Sequence, residues 1–130
     1  MSHNNQLPYS IGIEAFKTGF DTEIVDFFVD YEDVSLLDTF ASCKLVFRDN
    51  NSLTSEALGE EIGAIEIRTD KDDGTDKNAA VVVFSDALKK TILGELKTRL
   101  VFAALVLEGG TGAHASFPLW HAQAEIVGVV

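Results

Sequence analysis

Between Ala41 and Phe47 the chain reads ASCKLVF, which places Ala41, Cys43, Leu45 and Phe47 on one side and Ser42 and Lys44 on the other. A period of two belongs to a pleated strand, whose successive side chains point to opposite faces. Such a strand has to lay its apolar face against another layer. A chain built mainly from this pattern therefore folds as stacked sheets. The same alternation recurs in YSIGIEA, where Tyr9, Ile11, Ile13 and Ala15 share a face. It returns in FPLWHAQAEIVGVV, with Trp120, Ala122, Ala124, Ile126 and Gly128 on one side.

Other segments carry the strand signal in composition. TEIVDFFVDY is rich in β-branched and aromatic residues after the Gly19 turn, and AIEIR reads as a short strand. AAVVVF suits a strand buried on both faces, and ELKTRLVFAALVLE a long one. Only SDALKKTILG changes period: Ser85 can cap it, Asp86 suits its first turn, and Gly94 can end it. Leu88, Ile92 and Leu93 would point inward from one or two helical turns. DNNS, Asp49 to Ser52, is a turn, LTSEALGEEIG reads as irregular or briefly paired, and TDKDDGTDKN as an exposed loop. A length of 130 residues fits one domain. We expect a flexible or partner-ordered arm over residues 1–8 and a single all-β domain over 9–130. That domain should be an antiparallel sandwich of about seven strands with one short helical crossover. Its core should include Cys43, Leu45, Phe47, Val82, Phe84, Leu100, Phe102, Trp120 and Ile126.

The charge balance narrows function. A net charge of −11 repels phosphate backbones and anionic lipid heads, so neither nucleic acid nor membrane is an expected partner. The charge serves solubility or a basic partner. One cysteine, Cys43, excludes an internal disulfide and a cysteine-based zinc site, and its strand position points to burial. The start of the chain shows no signal-peptide pattern, and Leu100–Leu107 is too short to span a bilayer. A soluble chain made in the cytoplasm is expected.

No motif of catalysis stands out. Gly109-Gly110-Thr111-Gly112 lacks the lysine and following helix of a phosphate loop, and a strand follows it, so it reads as a turn. His3, His114 and His121 have no nucleophile or carboxylate at a known spacing. Counted from Asp70, Asp72 fits the third position of a calcium loop, but Gly74 arrives at the fifth rather than the sixth. Asp26/Asp30 and Glu60/Glu61 lack the arrangement of a carboxylate acid–base pair. No catalytic, cofactor-binding or metal-ligating residue is expected, and the chain does not read as an enzyme. Phe16, Phe20, Phe27, Phe28 and Tyr31 are instead candidates for contact with a neighbouring chain, since IVDFFVDY is apolar on both faces, more than a strand with one solvated side needs.

Leu37, Phe40, Ala41, Cys43, Leu45, Phe47 and Arg48 follow one further pattern: L-x-x-aromatic-small, then alternating apolar residues ending in arginine. AIEIR, AAVVVF and SDALKKTILG come after it in that order. Over Val25 to Val130 the chain thereby resembles small phage virion proteins with an Ig-like sandwich, like the N-terminal domain of upper baseplate proteins. The resemblance implies an Ig-like fold and a non-enzymatic virion component, either a baseplate or tail-fibre-anchoring module or a head-decoration protein. It also implies many copies, or a homo-oligomer, among other virion proteins. Contacts would come from Met1 to Pro8, from IVDFFVDY and from the terminal strand. The alternative reading is a carbohydrate- or other ligand-binding module using the TDKDDGTDKN and EGGTGAHAS loops.

Overall fold

A computed structural model of the chain describes residues 10–27, 40–50, 52, 54–109 and 116–129, with only the backbone given for 10–14. The strands are β1 (Ser10–Lys17), β2 (Thr22–Phe27), β3 (Ser42–Arg48), β4 (Gly59–Asp70), β5 (Thr75–Phe84), β6 (Thr98–Glu108) and β7 (Ser116–Val127). One helix, α1 (Asp86–Leu93), joins β5 to β6. The hydrogen-bonded order is β1-β7-β6-β3-β4-β5-β2.

The long strand β4 turns this single ladder into two layers. Its first half, Gly59–Ala64, pairs with β3, and its second half, Ala64–Asp70, pairs with β5. A strand that changes partner in this way makes the corner of a sandwich. Gly63 sits at the corner, where a Cβ would collide with the Val81 carbonyl oxygen and lie 2.8 Å from both Cys43 Sγ and Val82 Cβ. Its bare backbone lets the sheet fold over. Within LTSEALGEEIG, residues 54–58 are irregular as expected, but Gly59–Gly63 joins AIEIR in one strand that bends at a glycine instead of breaking there.

Facing layers β1-β7-β6-β3 and β4-β5-β2, with crossings at β1–β2, β2–β3 and β5–β6, make an Ig-like Greek-key sandwich. The layers meet through aromatic rings. Phe47 of β3 stacks on Phe84 of β5 at 4.3 Å, and Phe16 of β1 meets the same ring edge-on at 5.3 Å. Each such pair adds about 1 kcal/mol beyond its area burial. Neighbouring strands are antiparallel with one exception, since β1 runs parallel to β7. Instead of hairpinning onto β2, β1 sends the chain across to the other layer at Thr18–Asp21. The edge it occupies lies beside the last strand, in the same direction.

The polar stretch TDKDDGTDKN is also more ordered than a loop. Pairing of β4 with β5 continues to Asp70 opposite Thr75, leaving Lys71–Gly74 as the turn. Asp70 and Asp73 accept from the backbone of Asp72 and Thr75, both at 3.0 Å, and Lys77 reaches Asp70 and Asp73 at 2.7 Å each. These side chains build the turn themselves.

Cys43, Leu45, Phe47, Val82, Phe84 and Ile126 are buried as expected, and Trp120 packs half-buried against the same core. Leu100 is not a core residue: it is 47 % exposed. Phe102 shares its phase and is only half-buried, while the inward positions of β6 are Val101, Ala103, Leu105 and Leu107. An unbroken apolar run hides which phase faces in.

The helix forms as its sequence implies. Ser85 Oγ accepts from Leu88 N at 3.1 Å, Gly94 takes φ +62° and donates to Lys90 O at 2.9 Å, and Ile92 and Leu93 are buried.

Gly63→Ala should cost about 1–3 kcal/mol, because the corner backbone has nowhere to move. Gly59→Ala should cost less, since the added methyl would meet only the flexible tip of Leu88. Chemical denaturation of both variants checks the order, and equal losses would contradict it.

Candidate functional site

Where β2 faces the β1–β7 edge of the opposite layer, the sandwich is incompletely filled, and a cleft of about 320 Å³ opens. The cause lies in the inward residues of β6 and β7. Ala103, Ala122 and Ala124 present methyl groups where larger side chains would reach across. Phe16 and Ile24 complete the apolar walls. Asp26 stands on the inward phase of β2, opposite core residue Ala80, and so brings a carboxylate into this setting. Trp120 Nε1 donates to Asp26 Oδ2 at 2.7 Å, joining the two layers across the cleft. Burial raises the Asp26 pKa above the ordinary carboxylate value, and the indole hydrogen bond offsets this in part. Oδ1 has no partner among the described residues.

A second buried charge braces the end of the sandwich. Lys89 of α1 is fully buried, and its Nζ donates to Lys17 O at 2.9 Å, Phe20 O at 2.9 Å and Thr22 Oγ1 at 2.7 Å. The ammonium lies 4.7 Å from the Phe20 ring centroid. Desolvation lowers its pKa, with Asp86 and Asp21 opposing. The turn answers in kind: Gly19 N donates to Asp86 Oδ1 at 2.6 Å, and Asp86 N to Asp21 Oδ1 at 2.8 Å. Lys89 is thus a latch between α1 and the β1–β2 turn. Its three N–H donors are all spent, which leaves none for a further acceptor. Sequence reasoning overlooked it, although it occupies the helical stripe of Leu88, Ile92 and Leu93, a signal that its stem is buried.

The sequence-predicted interface aromatics do not form one surface. Phe16 packs on the core and walls the cleft, Phe20 is 55 % exposed beside Lys89, and Phe27 is half-buried on the outward phase of β2. Phe28 and Tyr31 lie outside the described residues, as do His3, His114, the arm and residues 110–115 of the glycine loop. His121 points to the outer face opposite Ala104, and its Nδ1 is buried without a hydrogen-bond partner among the described residues. Cys43 donates weakly to Ala64 O and Val81 O, and burial pushes its thiol up to about 11. Among the described residues, no group of three or more His, Cys, Asp or Glu is placed to hold a metal ion, and no helix is long and apolar enough to cross a membrane.

No family model matches the chain, and no curated protein matches it. Among solved structures it is similar to the extracellular domain of the voltage-gated sodium channel beta4 subunit, whose parallel homodimers are described as explaining its role in cell–cell adhesion. The likeness covers 99% of this chain and 100% of that one at 12% identity, with a TM-score of 0.36. So loose a likeness bears on neither the function nor the partners of this chain.

Because the folded pKa of Asp26 is raised, the folded state keeps a proton that the unfolded chain has lost between 3.8 and the raised value. Stability from this group therefore falls as pH rises through that window. Cys43, whose thiol feels the Asp26 charge, stays neutral there. Asp26→Asn, which keeps an acceptor for Trp120, should raise Tm at neutral pH, and the gain should shrink below the carboxylate range. A gain independent of pH would contradict this. Separately, the Cys43 thiol should resist a disulfide reagent at about pH 8 in the native protein and react once the chain is denatured. Rapid native reaction would show that the strand pair around it opens.

Proposed function

We propose that this chain is a structural subunit of a bacteriophage particle, a baseplate, tail-fibre-anchoring or head-decoration protein present in many copies. It acts through contacts with other virion proteins and with its own copies, and it resides in the virion after synthesis in the host cytoplasm. The observation that carries the reading is exposed apolar surface: besides Ile62, Ile67, Val83 and Leu100 on the strands, three large apolar side chains sit on segments joined at one pole. Thr18 N bonds Val127 O, Gly128 N bonds Lys97 O, and Val129 N bonds Thr18 Oγ1, drawing the β1–β2 turn, the α1–β6 turn and the end of the chain together. Phe20, Leu96 and Val129 project from these three segments with 55 %, 56 % and 58 % exposure. Large apolar side chains brought together in this way favour a protein neighbour over bulk water.

Two further features support it. Among the described residues, the outer edges of β1 and β2 carry no strand partner, and such edges readily accept one. The virion-protein resemblance also rests on residues that build the sandwich, not on reactive groups.

Light scattering coupled to size-exclusion chromatography should show self-association that Leu96→Glu or Val129→Glu abolishes. Mass spectrometry of purified particles should find the chain in many copies. A monomer at every concentration, together with absence from particles, would overturn the proposal.

A further inference from the structure

We infer that the alanine-walled cleft is a socket for a lysine side chain of a partner protein, received by Asp26 Oδ1. The inference deepens the subunit reading and rests on it for the identity of the partner, although the socket can be tested without any particle.

The walls and the carboxylate together define the occupant. Ala103, Ala122, Ala124, Phe16 and Ile24 offer an apolar passage. A purely apolar guest would leave the desolvated carboxylate beneath it uncompensated, which costs more than an empty cleft. A purely polar guest would waste the walls. An aliphatic stem carrying a cation satisfies both, as the amphipathic side chains of lysine and arginine do.

Hydrogen-bond accounting separates those two. Arginine binds carboxylates best through two parallel bonds, one to each oxygen. Here Oδ2 already accepts from Trp120 Nε1 at 2.7 Å, so a guanidinium fork would have to share that oxygen with the indole, whereas the open Oδ1 suits the point charge of an ammonium. The other charges on the protein favour the same sign of guest: a net −11 raises the local concentration of any cation. Lys89, which reaches Thr22 at the rim of the cleft, cannot serve, since its three bonds go to Lys17, Phe20 and Thr22.

Trp120 is the single tryptophan of the chain, so fluorescence excited at the red edge, where tyrosine does not absorb, reads the cleft. n-Butylammonium, a lysine side chain without its backbone, should produce a saturable change in that signal. n-Butanol and n-butylguanidinium should bind about tenfold or more weakly, the loss expected when one charge-assisted hydrogen bond is missing or badly placed. Asp26→Asn should weaken n-butylammonium by a similar factor. Ala122→Leu, which fills the cleft and leaves the carboxylate in place, should abolish the response. Circular dichroism verifies that both variants fold, and if the leucine variant does not, the asparagine variant decides. Unsaturable titration, equal binding of n-butanol, or an Asp26→Asn variant that binds as well as the native chain would overturn the inference. Binding by a protein that is absent from phage particles would leave the socket standing and remove the virion reading instead.

Discussion

The change of partner along β4 is the constraint from which the architecture follows. Without it, β5 and β2 would extend the β3 side of the sheet and leave its apolar face open to water. With it, residues far apart in sequence meet, and Phe84 becomes the ring on which Phe16 and Phe47 converge. The corner requires a residue with no side chain where β3, β4 and β5 crowd together, and Gly63 supplies it. Lys89 completes the closure at the other end, exchanging the hydration of its ammonium for three oxygens and holding α1 against the turn that carries β1 over to β2.

The cleft is a consequence of the same closure. A sheet folded at β4 has its two free strands, β1 and β2, at the far side, where the layers are held by side chains and not by a continuous ladder. There the chain places alanines and the inward-facing carboxylate of Asp26. The hydrogen bond from Trp120 to Asp26 ties the layers together, but it does so through a carboxylate whose burial works against its charge. An asparagine would accept the same indole proton with no such penalty. On the reading proposed above, the carboxylate serves a bound cation at some cost to the fold.

The alternating strands were plain in the sequence. WHAQAEIVG and the Cys43, Leu45, Phe47 alternation of ASCKLVF match the buried positions, although Ala41 is exposed and Val46 of the other phase is buried as well, and Ser85 and Gly94 bound the helix where their chemistry predicts. What escaped reading did so for specific reasons. LVFAALVL is apolar in both phases, so nothing local shows that Leu100 faces out and Val101 in. Gly63 resembles a break when viewed alone, because only the approach of Val81 from another strand reveals a bend. Lys89 has a charged head on a buried stem, which hydropathy counts as surface. The meeting of Asp26 with Trp120 spans 94 positions and leaves no trace in either neighbourhood. Asp26 drew notice only beside Asp30, as a pair that chemistry did not support, whereas its partner is an indole.

Proton–proton Overhauser measurements on labelled protein test the central claim, closure of one folded sheet over Phe84, most directly. Ring centroids 4.3 Å and 5.3 Å apart predict strong cross-peaks from the Phe84 ring to those of both Phe47 and Phe16, alongside amide contacts from Ala64 to β3 and to β5. Hairpin contacts between β4 and β5 without any ring contact from Phe84 to Phe47 would mean that the ladder stays flat, and the two-layer account would be wrong.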